Sequence, residues 1–284
     1  MLNISEDIDL LRCSECLGEL SVNEAETELQ CVRCNYVFPI IKNIPYFCDL
    51  KEDIIPRKHN IDVTNKSTWT RWRRLNFNFC KMALENVGEE SLILDIAAGP
   101  GHFQNLFKKY KKYIALDIYP YPDISIIADF TKKIPIRNNV ANVILLSNVL
   151  EHSSEPYFLL KECYRLLKTK EGRLILIAPF WITIHQAPLD FYRYTSYALE
   201  HLIKKSGFLE YKIYPLGDVF DVYEIIQKGI LKICARKMHG IQNKLELKII
   251  AKINTLIRKR LKRFLQFTKE EKEHAQGYAC IAIK

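Results

Sequence analysis

The chain has 284 residues, 48% of them hydrophobic and 26% charged, and carries a net charge of +9. This length and composition predict a globular protein with one large domain and a small second unit. The longest nearly apolar run, residues 174–184, falls short of the roughly 20 residues that span a bilayer, and residues 1–11 carry acids where a signal peptide is basic and apolar. We therefore expect a cytoplasmic protein, in which clustered cysteines hold metal more often than they form disulfides.

The first element along the chain is a pair of cysteine motifs. CSEC at 13–16 and CVRC at 31–34 are two C-x2-C pairs at the spacing of a zinc ribbon, with four unligated buried thiols as the alternative. Four thiolates complete a tetrahedron around zinc and leave no position for water, so the predicted zinc is structural. Residues 1–48 should fold around this ion, because so short a segment cannot build a stable core alone. The predicted ligands are Cys13, Cys16, Cys31 and Cys34.

A linker is predicted at 49–66, and an α/β domain follows over 67–227. Residues 67–87 favour a helix, and from residue 91 strand patterns alternate with helical ones, which is typical of parallel βαβ units. We therefore predict a doubly wound, Rossmann-like sheet. In chain order its elements are the strand LILDIA, the helix HFQNLFKKY, the strands YIALDI, ISIIAD and VILLSN, the helix EPYFLLKECYRLLK and the strand GRLILIAP.

The first strand of this domain runs into a glycine turn, LDIAAGPGHF at 94–103, with a carboxylate ahead of the glycines. In such sheets ligands bind beyond the carboxyl ends of the strands. Asp117 ends the second strand 22 positions after Asp95, near the offset at which an acid binds ribose hydroxyls. A dinucleotide is not expected, because the third glycine of its motif is missing and Asp95 would repel a pyrophosphate. The pattern predicts a nucleoside whose other end carries an amine or a sulfonium.

These residues resemble the class I S-adenosylmethionine-dependent methyltransferases, over about residues 67–227 and the last strand. LDIAAGPGHF is similar to the first motif of that family, with Ala97 in place of the usual first glycine, which should be tolerated if its φ stays negative. SNVLEH at 147–152 is similar to the motif that lines the cofactor after the fourth strand. The resemblance implies S-adenosylmethionine contacts from Asp95, Ala97, Gly99 and Gly101 near the methionine end, Asp117 and Ile118 at the ribose, Asp129 and Phe130 at the adenine, and Ser147 and Asn148 along the cleft.

The acceptor side is predicted in the loop after the fifth strand. Its sequence HQAPLDFYRYT resembles a segment of methyltransferases encoded among polysaccharide and lipopolysaccharide biosynthesis enzymes. A hydroxyl acceptor needs a base, for which His185 is the first candidate and Asp190 the second. Glu151 and His152 could be catalytic, or could serve capping and packing. The residues predicted to shape the acceptor pocket are Tyr192, Arg193 and Tyr194, although Asp190, Arg193 and Tyr194 could instead form an internal clasp.

A basic segment at 228–272 interrupts the domain between a sixth strand, LEYKIYPLG, and the last, GYACIAIK, within 273–284. Residues 228–263 hold twelve Lys or Arg against one acid, a net +11, so the rest of the chain sums to −2. Apolar residues recur at steps of three or four from Ile250, which predicts an amphipathic helix, preceded by another over 222–238. Three interpretations remain open: a hairpin packed on the domain, peripheral membrane contact through 228–265, and RNA binding. Few aromatic residues are present to stack on bases, which favours lipid over RNA.

Together these features predict an S-adenosylmethionine-dependent enzyme that O-methylates a saccharide or lipid-linked saccharide at the inner face of the membrane. An RNA methyltransferase is the alternative, because a zinc ribbon ahead of this domain also resembles ribosomal RNA guanine methyltransferases, although those have a histidine where Cys34 stands. IIKNIPYF at 40–47 is similar instead to the ribbon of small zinc proteins that activate other methyltransferases, so the ribbon could be an internal partner or a substrate-recognition module. A third possibility is a scaffold that has lost activity.

Overall fold

The computed structural model describes residues 2–49, 66–237, 241–265 and 274–284. Residues 50–65 of the predicted linker and residues 238–240 and 266–272 of the predicted basic segment lie outside the described residues. Two sheets are present, a small antiparallel one and a seven-stranded mixed one.

The ribbon is built on the small sheet. A short helix, α1 (Ile4–Asp7), precedes four antiparallel strands, and neighbouring strands follow one another in the chain. Leu29 and Phe38 face each other across the second and third strands and are buried in the core. The strands are β1 (Leu20–Val22), β2 (Glu28–Cys31), β3 (Val37–Ile41) and β4 (Ile44–Pro45).

The large sheet follows with its helices. Its order is β10-β11-β9-β8-β5-β6-β7, and β11 runs antiparallel to the other six strands. This mixed sheet confirms the predicted α/β, Rossmann-like fold. The elements are α2 (Arg71–Ala83), β5 (Leu92–Ile96), β6 (Lys112–Asp117), β7 (Ile126–Ile127), β8 (Val143–Ser147), α3 (Pro156–Leu166), β9 (Arg173–Pro179), α4 (Ser196–Lys205), β10 (Glu210–Leu216), α5 (Val219–Lys237), α6 (Ile241–Leu265) and β11 (Gly277–Ile283).

The central strands are apolar on both faces, as expected of parallel strands covered by helices. Two predicted elements differ from the structure. The helix predicted over HFQNLFKKY is only a 3-10 turn, Gln104–Leu106. Successive turns here are closed by backbone hydrogen bonds from each residue to the third residue before it. This tighter path already buries Phe103 and Phe107. The strand predicted over ISIIAD pairs only at Ile126–Ile127.

The ribbon is joined to the edge of the large sheet. Phe47 N donates to the Ile127 carbonyl of the edge strand β7 at 2.8 Å. Arg137 N donates to the Leu10 carbonyl at 2.8 Å, and Leu11 forms an isolated bridge with Ile136. One continuous apolar core includes residues of both units. The ribbon therefore covers a strand edge that would otherwise present unpaired backbone groups.

Helices α5 and α6, here called the helical hairpin, lie between β10 and β11 in the chain. Near its base Asp221 forms an ion pair with Arg71 of α2. Lys262 of α6 pairs with Asp218 just before α5 at 2.7 Å, and Arg258 of α6 pairs with Glu224 of α5. These contacts bring the end of α6 back to the start of α5. Among the described residues no helix is both long and apolar enough to cross a bilayer.

Candidate functional site

The four predicted zinc ligands come together in the ribbon. The Sγ atoms of Cys13 and Cys34 lie 3.6 Å apart, and those of Cys16 and Cys31 lie 3.5 Å apart. All four sulfurs are within 4.8 Å of one another. Sulfurs bound to one tetrahedral zinc at about 2.3 Å would be separated by about 3.8 Å, so the spacing fits the ion.

Backbone amides support the same sulfurs. Gly18 N donates to Cys16 Sγ, and Arg33 N and Cys34 N both donate to Cys31 Sγ, each at 3.4 Å. A Cβ at Gly18 would lie 3.0 Å from Cys31 Sγ, so a larger residue would crowd the cluster. Donors aimed at sulfur stabilise the thiolate, which is the form that binds zinc. The ribbon therefore holds a structural zinc ion.

The predicted cofactor residues lie at the carboxyl edge of the large sheet. β5 and β8 are adjacent and parallel, and the strands that follow each of them lie on opposite sides of the sheet. The gap between the ends of these two strands is therefore the switch point, where such sheets bind ligands. Asp95 near the end of β5, Asp117 at the end of β6 and Ser147 at the end of β8 border it.

Asp95 is a buried carboxylate suited to a cation. Burial raises the pKa of Asp95 to about 7, although a hydrogen bond from Tyr113 Oη at 2.8 Å opposes this. A carboxylate in such a place gains most from a positively charged ligand group. The ammonium of the methionine moiety would supply that charge. Tyr113 was missed by sequence reasoning, although it sits two residues before Ala115, the β6 partner of Asp95, and so shares its face.

The glycine turn adopts an unusual backbone. Gly99 and Gly101 have φ of +58° and +76°, and Ala97 also has a positive φ, +56°. The condition under which alanine was expected to be tolerated here, a negative φ, is therefore not met. Its successor Ala98 donates to the Leu116 carbonyl of β6 at 3.1 Å, which ties the turn back to the sheet. The left-handed conformation costs about 1 kcal/mol at a non-glycine residue.

The turn leaves room for a ligand. A Cβ built on Gly99 would meet no atom within 4 Å, so the space beside this backbone is open. Gly99 N donates to Asp117 Oδ2 at 2.8 Å, and Tyr119 N donates to Asp117 Oδ1 at 2.9 Å. Each oxygen keeps a further lone pair that a ribose hydroxyl can use. Burial raises the pKa of Asp117, and the next residue, Ile118, is half-buried at the same edge.

The remaining cofactor predictions lie just after β7 and at the end of β8. Asp129 accepts hydrogen bonds from Thr131 N and Oγ1 at 2.9 and 2.7 Å, and Phe130 is half-buried against the core. Asn148 donates to Ser147 Oγ at 3.0 Å and accepts from Trp72 Nε1 at 2.8 Å. Asn148 thus ties α2 to the switch point. Nothing in the sequence indicated that Trp72 would take part.

In the loop after β9, Asp190 and Arg193 form the clasp that was the alternative to catalysis. Two hydrogen bonds join them, at 2.6 and 2.8 Å, and Asp190 also accepts from His185 N at 2.8 Å. The Arg193 guanidinium holds the pKa of Asp190 well below its usual range. So weak a base is a poor acceptor for a hydroxyl proton, which leaves His185 as the better of the two predicted bases.

The two tyrosines of the loop play different parts. Tyr194 is buried and its Oη donates to the Leu150 carbonyl at 3.0 Å, so it anchors the loop. Tyr192 is exposed and donates to the Ser154 carbonyl at 3.4 Å. Of the three predicted pocket residues, Tyr192 has the largest exposed surface to offer an acceptor.

A cluster that sequence reasoning left undecided forms at the cleft mouth. Glu151 and His152, in the 3-10 turn after β8, meet His185 from the loop after β9. The two Nε2 atoms of His152 and His185 are 3.1 Å apart, and Glu151 Oε1 lies 3.7 and 3.9 Å from them. Burial raises the pKa of Glu151 to about 8 and lowers the pKa of His152. The signal in the sequence was an adjacent acid and histidine directly after a buried strand.

Comparisons with known proteins agree with this geometry. Residues 94–176 match the family model of a methyltransferase domain, and residues 8–43 match that of Trm112p-like proteins. No curated protein matches the chain. Among solved structures, an S-adenosylmethionine-dependent methyltransferase from Archaeoglobus fulgidus is 19% identical, with a TM-score of 0.48 over 75% of this chain and 94% of the other.

A second solved structure is the complex of a methyltransferase with the Trm112 methyltransferase activator of Haloferax volcanii, at 12% identity and a TM-score of 0.46. This similarity covers 74% of the present chain and 91% of the other. The methyltransferase-domain match covers the glycine turn and the central strands. The Trm112p-like match covers the four cysteines. Residues 94–176 therefore belong to a methyltransferase domain, for which S-adenosylmethionine is the methyl donor, and residues 8–43 form a Trm112p-like ribbon whose four cysteines fit a structural zinc ion.

Proposed function

We propose that the enzyme O-methylates a saccharide, carried on a lipid, at the inner face of the membrane. The observation that carries this proposal is a set of exposed apolar side chains at the edge of the sheet where we expect the methyl donor to bind. They belong to two elements, the helical hairpin and the acceptor loop, which is defined here as residues 180–195.

The hairpin leaves the sheet beside the cofactor cleft. β10 and β9 are both antiparallel to β11, so they run in the same direction. The end of β10, Leu216, pairs with Gly277, which in turn pairs with Pro179 at the end of β9. The start of α5 therefore lies at the carboxyl edge, where Asp95 and Ser147 also lie. A surface bound by the hairpin would be close to the cleft mouth.

The apolar stripe of the hairpin is not covered by the described part of the domain. Its isoleucines and leucines are about half exposed, which argues against the interpretation as a packed hairpin. Polypeptides in water seldom leave so many large apolar residues uncovered without a partner. The exposed residues are Ile226, Ile230 and Ile233 on α5, and Leu245, Ile249, Ile250, Ile253, Leu256, Ile257 and Leu261 on α6.

The acceptor loop adds apolar and aromatic residues to this surface. Ile184 is 80% exposed, and Trp181, Phe191 and Tyr192 are exposed beside it. Tryptophan and tyrosine are favoured at membrane–water interfaces, where the ring contacts the acyl boundary and the polar group stays hydrated. A loop of this kind can receive an acceptor that projects from a bilayer.

The charge of the hairpin supports an anionic lipid surface as its partner. Twelve Lys or Arg stand against Glu246 in residues 228–263. Each basic residue near an anionic bilayer contributes about 1 kcal/mol, and the apolar stripe adds burial in the interface. RNA would use the same charges, but the segment offers few aromatic rings for base stacking.

The chemistry of a hydroxyl acceptor fits the cleft mouth. Methyl transfer from a sulfonium depends mainly on positioning, whereas a hydroxyl must also lose its proton. Glu151, His152 and His185 come together after β8 and β9, and His185 is the predicted base for that proton. We expect His185→Ala to abolish turnover and to leave the dissociation constant of S-adenosylmethionine unchanged. An active His185→Ala enzyme would exclude the base.

The experiment that tests the function follows labelled methyl from S-adenosylmethionine into fractionated cell material. Label in the lipid or glycan fraction supports the proposal, and label released by ribonuclease would replace it with an RNA methyltransferase. Binding to anionic vesicles should weaken with salt and disappear when a short linker replaces residues 228–270. Unchanged vesicle binding would remove the membrane from the proposal.

A further inference from the structure

Two hydrogen bonds join the segments that carry Glu151, His152 and His185. Phe191 N donates to the Glu151 carbonyl at 2.9 Å, and Tyr194 Oη donates to the Leu150 carbonyl at 3.0 Å. The turn after β8 and the acceptor loop are thus bonded to each other directly around the three side chains. Their arrangement is preorganised and not an accident of two independent loops.

The hydrogen bonds of the two rings fix which nitrogens carry protons. His152 Nδ1 faces the Leu189 carbonyl. His185 Nδ1 faces the Thr183 carbonyl at 3.2 Å and Asp190 Oδ2 at 3.5 Å. These oxygens can only accept, so in both neutral rings Nδ1 is the donor and Nε2 carries the lone pair. The two Nε2 atoms nevertheless point at each other across 3.1 Å.

Glu151 brings a third acceptor to the same point. Its side chain has no solvent exposure, and neither carboxylate oxygen has a hydrogen-bond partner among the described residues. A buried carboxylate without a donor is strongly unfavourable unless it takes up a proton or binds a cation. Three acceptor atoms therefore converge, and one cation would satisfy all of them.

The distances match a metal ion. Nitrogen and oxygen ligands bind first-row divalent ions at about 2.0 to 2.2 Å, which puts neighbouring ligand atoms about 3.4 Å apart in a tetrahedron. The three ligand atoms here are separated by 3.1, 3.7 and 3.9 Å. Ligating histidines also donate their other N–H to carbonyl or carboxylate oxygens, as both rings do.

We propose that Glu151, His152 and His185 bind one divalent transition-metal ion, separate from the zinc of the ribbon. Two imidazole nitrogens and one carboxylate oxygen are a common ligand set for such ions, and they leave coordination positions open. Asp190 is then a positioning residue, since it orients His185 while Arg193 fixes its own carboxylate.

The role of this ion rests on the proposed O-methylation. An open coordination position on the metal ion would take the acceptor hydroxyl. A bound cation lowers the pKa of such a hydroxyl, and its proton passes to water. The oxygen then forms a bond to the methyl carbon as the carbon–sulfur bond breaks, and the electron pair of that bond stays on sulfur. With its Nε2 bound to the ion, His185 would no longer be the base of the proposed function, and the metal ion would take over that role.

The test measures metal uptake without acceptor or methyl donor, so that its failure is separate from failure of the proposed function. Untagged protein is dialysed with a mild chelator, assayed for zinc, and titrated calorimetrically with Zn2+ and, separately, Mn2+. The four-sulfur site should keep one zinc per chain throughout. We expect the wild type to take up a second ion, and Glu151→Gln, His152→Ala and His185→Ala each to weaken that uptake by at least about a hundredfold.

His201→Ala is the matched control, because His201 is exposed on α4 and should leave both ions bound. A wild-type protein that takes up no second ion of either metal would overturn the proposal, and this readout does not depend on any variant folding. Retention of the second ion in all three ligand variants would also overturn it.

Discussion

The zinc ribbon and the helical hairpin are both small additions to one domain, but they present their apolar residues in opposite ways. Leu11, Leu29 and Phe38 of the ribbon are buried in a core shared with the large sheet. On the hairpin, Ile253 and Leu256 are about half exposed or more. The ribbon thus has its partner within the chain, whereas the hairpin has an apolar surface available for a partner outside it.

The largest expected effect is loss of the zinc site. Cys31→Ser removes a ligand from an ion whose binding provides about 10 kcal/mol or more of folding free energy in small zinc domains. Because the ribbon covers the β7 edge, we expect the whole methyltransferase domain to lose its cooperative thermal transition or to aggregate. Replacing residues 228–270 by a short linker should shift the midpoint of thermal unfolding by only a few degrees. Equal losses in the two proteins, measured by circular dichroism melting, would break the comparison.

A smaller effect is expected from single truncations in the two regions. Leu11 is fully buried between the ribbon and the Ile136 segment, so Leu11→Ala should lower the free energy of unfolding by about 2 to 5 kcal/mol. Ile253 is 49% exposed, and Ile253→Ala should change the free energy of unfolding by no more than about 0.5 kcal/mol. Urea unfolding with zinc present measures both. A large cost at Ile253 would mean that the hairpin stripe is packed after all.

The hairpin should show its effect in membrane binding instead. Ile253→Glu combined with Ile257→Glu removes two apolar contacts and adds two charges that anionic lipid repels, so affinity for anionic vesicles should fall by about a hundredfold or more. Ile41→Glu is the matched control, because Ile41 is 45% exposed on β3 of the ribbon. We expect Ile41→Glu to bind vesicles as the wild type does. Similar losses in both proteins would remove the distinction between the two surfaces.

The fold was predictable because its signals are local. Alternating buried strands and helices predict the parallel sheet, and two C-x2-C motifs predict the zinc site, since ligand spacing in the chain determines which thiolates can meet. Joining the ribbon to β7 could not be predicted, because backbone pairing between Phe47 and Ile127 leaves no trace in side-chain patterns. Likewise, the spacing of Phe103 and Phe107 fits a helix as well as the 3-10 turns that form.

The site was predicted unevenly for a related reason. Asp95 and Asp117 stand at strand ends, and the parallel register of β5 and β6 brings strand ends together. Which residues of the acceptor loop meet the turn after β8 depends on the path of an irregular segment. The sequence therefore indicated His185 as a base and left Glu151 and His152 between catalysis and packing, without predicting that the three side chains meet. The positive φ at Ala97 could not be predicted from residue type, because alanine rarely adopts it; in the structure it accompanies a long-range bond from Ala98 to β6.

The smallest effect is expected in the binding of S-adenosylmethionine at the cleft. Neither the ribbon nor the hairpin contributes a predicted cofactor residue to this cleft. The pKa of Asp95 is raised to about 7. Below that pH the carboxyl group is mostly protonated and neutral, so it loses its attraction for the ammonium of S-adenosylmethionine. Affinity should level off above about pH 8, be about half its maximum at pH 7 and fall about tenfold by pH 6, because binding the cation requires release of one proton. Calorimetric titration should give the same dependence of S-adenosylmethionine affinity on pH when a linker replaces residues 228–270. The Asp95→Asn variant should bind weakly, with an affinity that does not change with pH. If the profile changed with the hairpin removed, the hairpin would contribute to the cleft and could not be treated as a separate docking element.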